Sequence, residues 1–134
     1  MIVVDTNLIA YLLIDGGQTE LAERVLLKDE VWASPLLWRN ELCNTLVKCV
    51  RSGLFGLNSA FRIMNEAELV MAGNEYAMVS GDVLSLAASS ACSAYDAEFV
   101  VLAGELGAPL VTTDKQLLEN FPETAISPAR FLAR

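Results

Sequence analysis

The acidic residue Asp5 directly follows an apolar, β-branched run, because the chain begins MIVVDTNL. A second acid, Asp114, follows the short apolar stretch 109–112. Carboxyl ends of parallel strands meet at one edge of an open sheet, and ligands bind there. Both carboxylates are therefore expected at the same edge. Helix capping is the alternative explanation, and for Asp114 it is an ordinary one.

Two further acids lie within predicted helices. Glu41, in LLWRNELCNTL, borders the apolar face that Leu42 begins, and Asp96, in CSAYDAEFVVLA, occupies the first turn of a largely apolar helix. The alternatives are a solvated helix flank for Glu41 and a favourable helix-dipole interaction for Asp96. Acids are rarely buried unless paired or bound to a cation. Four carboxylates that repel one another and lack imidazole or thiolate partners favour Mg²⁺ or Mn²⁺.

The sequence contains no histidine. This excludes a Ser-His-Asp triad, a Cys-His dyad and an imidazole zinc site. The cysteines Cys43, Cys49 and Cys92 form no CxxC pair, and we interpret them as apolar filler in helices. The net charge of −8 differs from the basic footprint of a general nucleic-acid binder, although two bound divalent cations would halve it.

The 134 residues predict one domain, 1–134. No apolar run is long enough for a membrane span, and no secretory leader is recognisable, so we expect a cytoplasmic protein without membrane association. Strands that alternate with helices predict an α/β fold whose mainly parallel central sheet has helices on both faces. The predicted strands are 2–5, 30–33, 75–79, 109–112 and 125–126. The predicted helices are 6–13, 18–28, one capped by Ser34-Pro35 and ending at Ser52-Gly53, 58–71, 81–91 capped by Ser80, 94–106, 114–120 and a terminal turn after Ser127.

The stretches MIVVDTN, WRNEL, SAYDAEFVVLA and LVTTDKQL occur in the order and with the spacing of PIN domains, and the likeness spans almost all of the chain. Within that family the sequence resembles the prokaryotic VapC-type toxins, each neutralised by a small antitoxin. The resemblance implies a PIN-like three-layer α/β/α fold and metal-dependent cleavage of RNA. It also implies that Thr6 and Thr112 support the acids. The implied metal ligands and catalytic residues are Asp5, Glu41, Asp96 and Asp114.

The hypothesis is metal-assisted hydrolysis of a phosphodiester in RNA. In it Asp5 is the central ligand and Asp96 completes the main site. Glu41 and Asp114 hold a second ion or orient water. Residues that could contact the RNA backbone are Lys48, Arg51 and Lys115, for which a solvated surface position is the alternative.

The partners and the rival functions stay open at this point. Surplus apolar residues in 8–13 and 57–71 favour a homodimer or a groove for an antitoxin helix. We expect Trp32 and Trp38 in the core, whereas Tyr95 could stack on a base. The main rival function is a non-catalytic PIN-type module that binds RNA or protein. An aspartyl phosphatase is less favoured, because it would carry an acid where this chain has Asn7.

Overall fold

The computed structural model describes residues 1–134 and contains five strands and eight helices. The strands are β1 (Ile2–Val4), β2 (Trp32–Pro35), β3 (Glu75–Tyr76), β4 (Leu110–Val111) and β5 (Ala125–Ile126). The helices are α1 (Thr6–Leu13), α2 (Thr19–Lys28), α3 (Leu37–Arg51), α4 (Leu57–Met71), α5 (Ser80–Ala88), α6 (Ala94–Leu106), α7 (Lys115–Asn120) and α8 (Pro128–Leu132). None of these helices is long and apolar enough to span a membrane.

The five strands form one sheet in the order β3-β2-β1-β4-β5, and every neighbouring pair is parallel. The strand β1 is central, and its residue Val3 is in register with Ala33 on one side and Leu110 on the other. All carboxyl ends therefore meet at one edge. Because β1 and β4 are neighbours, the residues that follow them lie side by side at that edge.

Helices cover both faces of the sheet. Alternate side chains of β1 point to opposite faces, so Ile2 and Val4 join one apolar core and Val3 joins a second. The first core is completed by α1, α2, α3, α4 and α8, and the second by α6 and α7. This arrangement confirms the predicted α/β fold with a parallel central sheet between two helical layers.

The segment Ser34-Pro35 does not cap a helix, contrary to the prediction. Both residues belong to β2, and α3 begins at Leu37 without a side-chain cap. Proline has no N–H to give to a strand ladder. The buried Ser34 hydroxyl instead donates to the carbonyl oxygen of Val4 at the end of β1, at 2.6 Å. A tertiary hydrogen bond thus replaces the local capping role that Ser-Pro favours in a peptide.

Other boundaries differ by a few residues. The predicted strand 75–79 pairs only at Glu75–Tyr76, and α5 begins at Ser80 itself, so that Val79 is its N-cap residue. On α3 the buried stripe is Trp38, Leu42 and Leu46, whereas Cys43, which was interpreted as apolar filler, is exposed. The two tryptophans Trp32 and Trp38 are fully buried, which confirms their predicted place in the core.

Candidate active site

The carboxylate of Asp5 is held at the junction of β1 and α1. It caps α1 by accepting a hydrogen bond from the Leu8 backbone N–H at 3.0 Å. Its other oxygen accepts a hydrogen bond from the hydroxyl of Thr112. Only 7% of Asp5 is exposed. The capping role does not exclude a chemical role, because capping engages only one of the two carboxylate oxygens.

The residues Thr112 and Asp114 follow β4, the neighbour of β1. Thr112 is fully buried, and its hydroxyl oxygen accepts a hydrogen bond from the Asp114 backbone N–H at 3.0 Å. Asp114 caps α7 by accepting from the Leu117 N–H at 3.0 Å, as the capping alternative predicts. Thr112 thus joins the turn after β4 to the carboxylate of Asp5.

The second turn of α3 presents Glu41 to the same edge. Its Oε1 accepts a hydrogen bond from the Thr6 hydroxyl at 2.7 Å, and the side chain is half-buried. Thr6 immediately follows Asp5 in the chain. The hydrogen bond therefore ties α3 to the start of α1 and fixes the two acids relative to each other.

The first turn of α6 supplies Asp96. The Ser93 hydroxyl caps this helix by accepting from the Asp96 N–H at 3.1 Å, and the Asp96 side chain is half-buried. The helix α6 lies on the opposite layer from α3. Acids from both helical layers thus approach the ends of β1 and β4.

One cleft of about 220 Å³ brings the four acids together, although they are far apart in sequence. No lysine or arginine lines it. Asn44 and Thr45 were not predicted to belong to the site, yet they follow Glu41 by three and four residues, a spacing that places all three on one helix face. The complete lining is Asp5, Thr6, Asn7, Glu41, Asn44, Thr45, Asp96, Phe99, Asp114 and Leu117.

The electrostatics of the cleft are those of crowded, partly buried acids. The pKa of Asp5 is raised to about 6: burial raises it most, the hydrogen bonds from Thr112 and Leu8 lower it, and the charges of Asp114 and Glu41 raise it. Burial also raises the pKa of Asp96, with the charge of Asp114 adding to the effect. The cleft therefore concentrates negative charge without a basic residue to offset it.

A fifth acid, Glu98, lies near this cluster and was not singled out from the sequence. It stands two residues after Asp96 in α6 and does not line the cleft. Partial burial raises its pKa, and the charge of Glu41 raises it further. The only sequence signal was an acid inside the apolar run AEFVVLA, which is equally typical of an exposed helix flank.

The donor set agrees chemically with a hard divalent cation. Carboxylate, amide and hydroxyl oxygens are the ligands that Mg²⁺ and Mn²⁺ prefer. In this structure, however, no three His, Cys, Asp or Glu side chains are close enough to coordinate the same ion. The carboxylates instead bond to hydroxyl and amide groups, as Asp5 does with Thr112 and Glu41 with Thr6. Mg²⁺ keeps several bound waters, so one or two of these carboxylates with water would hold it.

The basic residues predicted to contact RNA stand outside the cleft. Lys48, Arg51 and Lys115 are exposed, and none is in an ion pair. Lys48 is seven residues after Glu41 and shares its helix face, about 10 Å along the axis. Tyr95 is 65% exposed and also lies outside the cleft. The role of all four residues stays a prediction.

Comparison with known proteins identifies the fold family. Residues 2–123 match the sequence profile of the PIN domain. The chain belongs to the PIN domain family. It is 35% identical over 124 residues to Ribonuclease VapC3 from Pyrobaculum aerophilum, an alignment that covers 90% of this chain and 95% of that relative. The predicted likeness to VapC-type PIN domains is confirmed.

A solved structure has the same fold as this PIN domain. The crystal structure of PAE2754 from Pyrobaculum aerophilum superposes with a TM-score of 0.78, covering 98% of this chain and 93% of that one at 24% identity. The agreement covers nearly all of this chain. It therefore supports the arrangement in which the ends of β1 and β4 lie side by side.

Proposed function

We propose that this PIN domain is an endoribonuclease that hydrolyses phosphodiester bonds in RNA with Mg²⁺ or Mn²⁺. The observation that carries the proposal is the single cleft lined by four acids from separate parts of the chain, Asp5, Glu41, Asp96 and Asp114, without a basic residue among them. Such a cleft would repel an RNA phosphate unless a cation were bound. The similarity to a protein named Ribonuclease VapC3 supports RNA as the substrate class.

The protein side of the mechanism is the placement of charge. A bound divalent cation supplies the positive charge that activates water and offsets the charge developing on the phosphate. Asp5 would be the central ligand, since β1 and the hydrogen bonds from Leu8 and Thr112 hold it in place. Asp96 would complete that site. Glu41 and Asp114 would hold a second ion or orient the attacking water.

A matched pair of substitutions tests the catalytic role of the acids. Asp96 and Asp82 both stand in the first turn of a helix, but only Asp96 lines the cleft. Cleavage of a fluorophore-quencher RNA should depend on Mg²⁺ or Mn²⁺, stop in EDTA and decrease by at least about 100-fold in Asp96→Asn. Asp82→Asn should cleave within twofold of the parent. Equal rates for the parent and Asp96→Asn would refute the proposal.

We further propose that the protein acts as the toxin of a type II toxin–antitoxin pair, with a small antitoxin and a second copy of the chain as its partners. The support is the resemblance to VapC-type toxins together with exposed apolar side chains near the start of α4. Leu54, Leu57 and Phe61 are more than half exposed. Leu54 also lines a mixed cavity whose other lining residues are Leu13, Ile14, Asp15, Phe55, Ser59, Arg62 and Ile63. Sedimentation equilibrium of the parent and Phe61→Ser would test self-association through this surface.

A non-catalytic PIN-type binding module is the second candidate. One observation favours it: the net charge of −8 differs from the basic surface typical of a protein that cleaves nucleic acid. The nuclease assay separates the two candidates when RNA binding is measured in parallel. RNA that binds the parent but stays intact with either metal would favour the binding module.

A further inference from the structure

A second cavity, of about 330 Å³, adjoins the acidic cleft between α1, the turn after it and α3. We call it the side cavity. Asn7 and Thr45 line both the acidic cleft and the side cavity, so the two spaces share a wall. The remaining lining residues of the side cavity are Ala10, Tyr11, Ile14, Asp15, Gly16, Gly17, Gln18, Thr19 and Cys49.

The chemistry of the side cavity differs from that of the cleft. Its only charged lining residue is Asp15, against four acids in the cleft. The side chains of Asn7, Tyr11 and Gln18 make no hydrogen bond to another protein group, and each can both donate and accept. The Thr45 hydroxyl donates to the Glu41 carbonyl at 3.1 Å and keeps a lone pair to accept with. This is a largely neutral wall with hydrogen-bonding groups.

Tyr11 adds an aromatic surface. Its ring is half-buried and packs against the larger apolar core, which fixes its position, while its hydroxyl has no protein partner. Aromatic side chains that line RNA sites stack on unpaired bases, and neighbouring amides and hydroxyls bond to the base edges. A neutral base can enter such a space, whereas a phosphate would meet Asp15 and the nearby acids.

We propose that the side cavity binds the nucleobase beside the phosphodiester that the acidic cleft cleaves, with Tyr11 contacting the ring and Asn7, Gln18 and Thr45 bonding to its edge. This inference rests on the proposed ribonuclease function. A base is attached to the ribose next to the phosphate, so a base site must adjoin the site of cleavage. The wall shared through Asn7 and Thr45 meets that requirement.

Photo-cross-linking in Mg²⁺, with oligoribonucleotides whose backbone linkages resist hydrolysis, tests binding independently of cleavage. Short oligoribonucleotides that carry 5-iodouridine at successive positions are irradiated with the full chain, and the cross-linked peptide is sequenced by mass spectrometry. We expect one position to cross-link predominantly to Tyr11. Cross-links confined to peptides outside α1, the turn 14–18 and α3 would overturn the assignment.

A cavity-filling variant tests the same site in catalysis. A Cβ atom at Gly17 would meet nothing within 4 Å, and the backbone there has no positive φ, so Gly17→Leu adds bulk at the side cavity without strain. Gly81→Leu in α5 is the matched control, because Gly81 is equally open and lies outside both cavities. The substrates are an intact RNA and RNAs with an abasic ribose at each position beside the cleaved bond.

For the parent and Gly81→Leu, one abasic position should lower kcat/KM by about tenfold, the scale of a lost base-stacking contact. For Gly17→Leu the intact and abasic substrates should be cleaved at similar rates. If the abasic penalty is the same in all three proteins, the side cavity is not a base site, although the ribonuclease proposal stands. Cross-linking at Tyr11 without any cleavage would reject the ribonuclease and retain the base site. If the RNA is not cleaved and does not cross-link to Tyr11, both the ribonuclease proposal and the base site are rejected.

Discussion

The Thr112 hydroxyl donates a hydrogen bond to the carboxylate of Asp5 and accepts one from the Asp114 backbone N–H. One fully buried side chain thus connects the ends of β4 and β1. The bond to Thr112 favours the charged form of Asp5, because a hydroxyl donor stabilises a carboxylate. Thr112 therefore holds the carboxylate of Asp5 in place.

Replacement of Thr112 by Val should weaken both stability and metal binding. It removes the donor to Asp5 and the acceptor of the Asp114 N–H, so we expect the free energy of unfolding at pH 8 to decrease by about 1–3 kcal/mol. Loss of a group that orients a ligand should reduce Mn²⁺ affinity by about tenfold or more. Urea denaturation and titration calorimetry measure the two effects. Thr112→Ser keeps the hydroxyl and should stay close to the parent in both. Equal Mn²⁺ affinity in Val and Ser variants would contradict this role.

The buried charge of Asp5 should cost stability in the metal-free protein. The pKa of Asp5 is raised from 3.8 to about 6, so between those values the folded state holds more protons than the unfolded state. The contribution of Asp5 is then most favourable below pH 4, and stability is lost as pH rises towards 6. A shift of about two pKa units corresponds to about 3 kcal/mol.

Asp5→Asn should therefore be more stable than the parent in EDTA at pH 8 and similar to it at pH 4. Asparagine also caps helices, so the hydrogen bond from Leu8 can persist. Urea denaturation across this pH range measures the difference. Asp15→Asn is the control, since Asp15 is exposed and should change stability by less than about 0.5 kcal/mol. If Asp5→Asn is less stable than the parent at pH 8, burial of the charged Asp5 carboxylate does not destabilise the folded protein.

The acidic edge could be predicted from sequence because it follows from topology. Apolar runs ending in Asp5 and shortly before Asp114 indicate parallel strands, and parallel strands place their carboxyl ends together. The helical acids were harder to predict. Asp96 lines the cleft and Glu98 does not, yet both are acids near the start of one apolar helix. Their orientation depends on how α6 packs against the sheet, which no local pattern encodes.

Long-range contacts explain the wrong boundaries and the unforeseen cavity. Ser34-Pro35 has the local pattern of a helix start, but pairing with β3 and the hydrogen bond to Val4 keep it in β2. The side cavity depends on how the turn at Gly16-Gly17 passes α3. The Gly16-Gly17 pair predicts the end of a helix, but no local sequence pattern predicts the side cavity next to that turn.

Glu75 should contribute to stability at neutral pH but not to chemistry. Its carboxylate accepts from the buried Trp38 Nε1 at 2.8 Å and from two Arg39 nitrogens at 2.6 and 2.9 Å. The bonds from Arg39 hold the pKa of Glu75 below its ordinary value, so the contribution exists above the unfolded pKa and is lost as pH falls. Glu75→Gln should lower the free energy of unfolding at pH 7 by roughly 1–3 kcal/mol in thermal or urea denaturation.

Glu68→Gln is the matched control for Glu75→Gln. Glu68 pairs with the same Arg39 at 3.2 Å, but both side chains are about 40% exposed. Exposed ion pairs contribute little, so this variant should remain within about 0.5–1 kcal/mol of the parent. If both variants lose the same stability, the buried bond to Trp38 is not the source of the effect.

Lys48 should bind the RNA backbone rather than take part in the chemistry. It is exposed, has no carboxylate partner and shares the face of α3 that carries Glu41 about two turns away. Lys48→Ala should raise KM for RNA several-fold and leave kcat unchanged. The slope of the logarithm of the binding constant against the logarithm of the salt concentration should decrease in magnitude by about 1, the value for one lost phosphate contact. Arg24→Ala is the control, because Arg24 is an exposed cation on α2 that lines neither cavity. Steady-state kinetics at several salt concentrations measure these effects. An equal change of KM in both variants would contradict the prediction, because it would show an effect of net charge instead of a local contact.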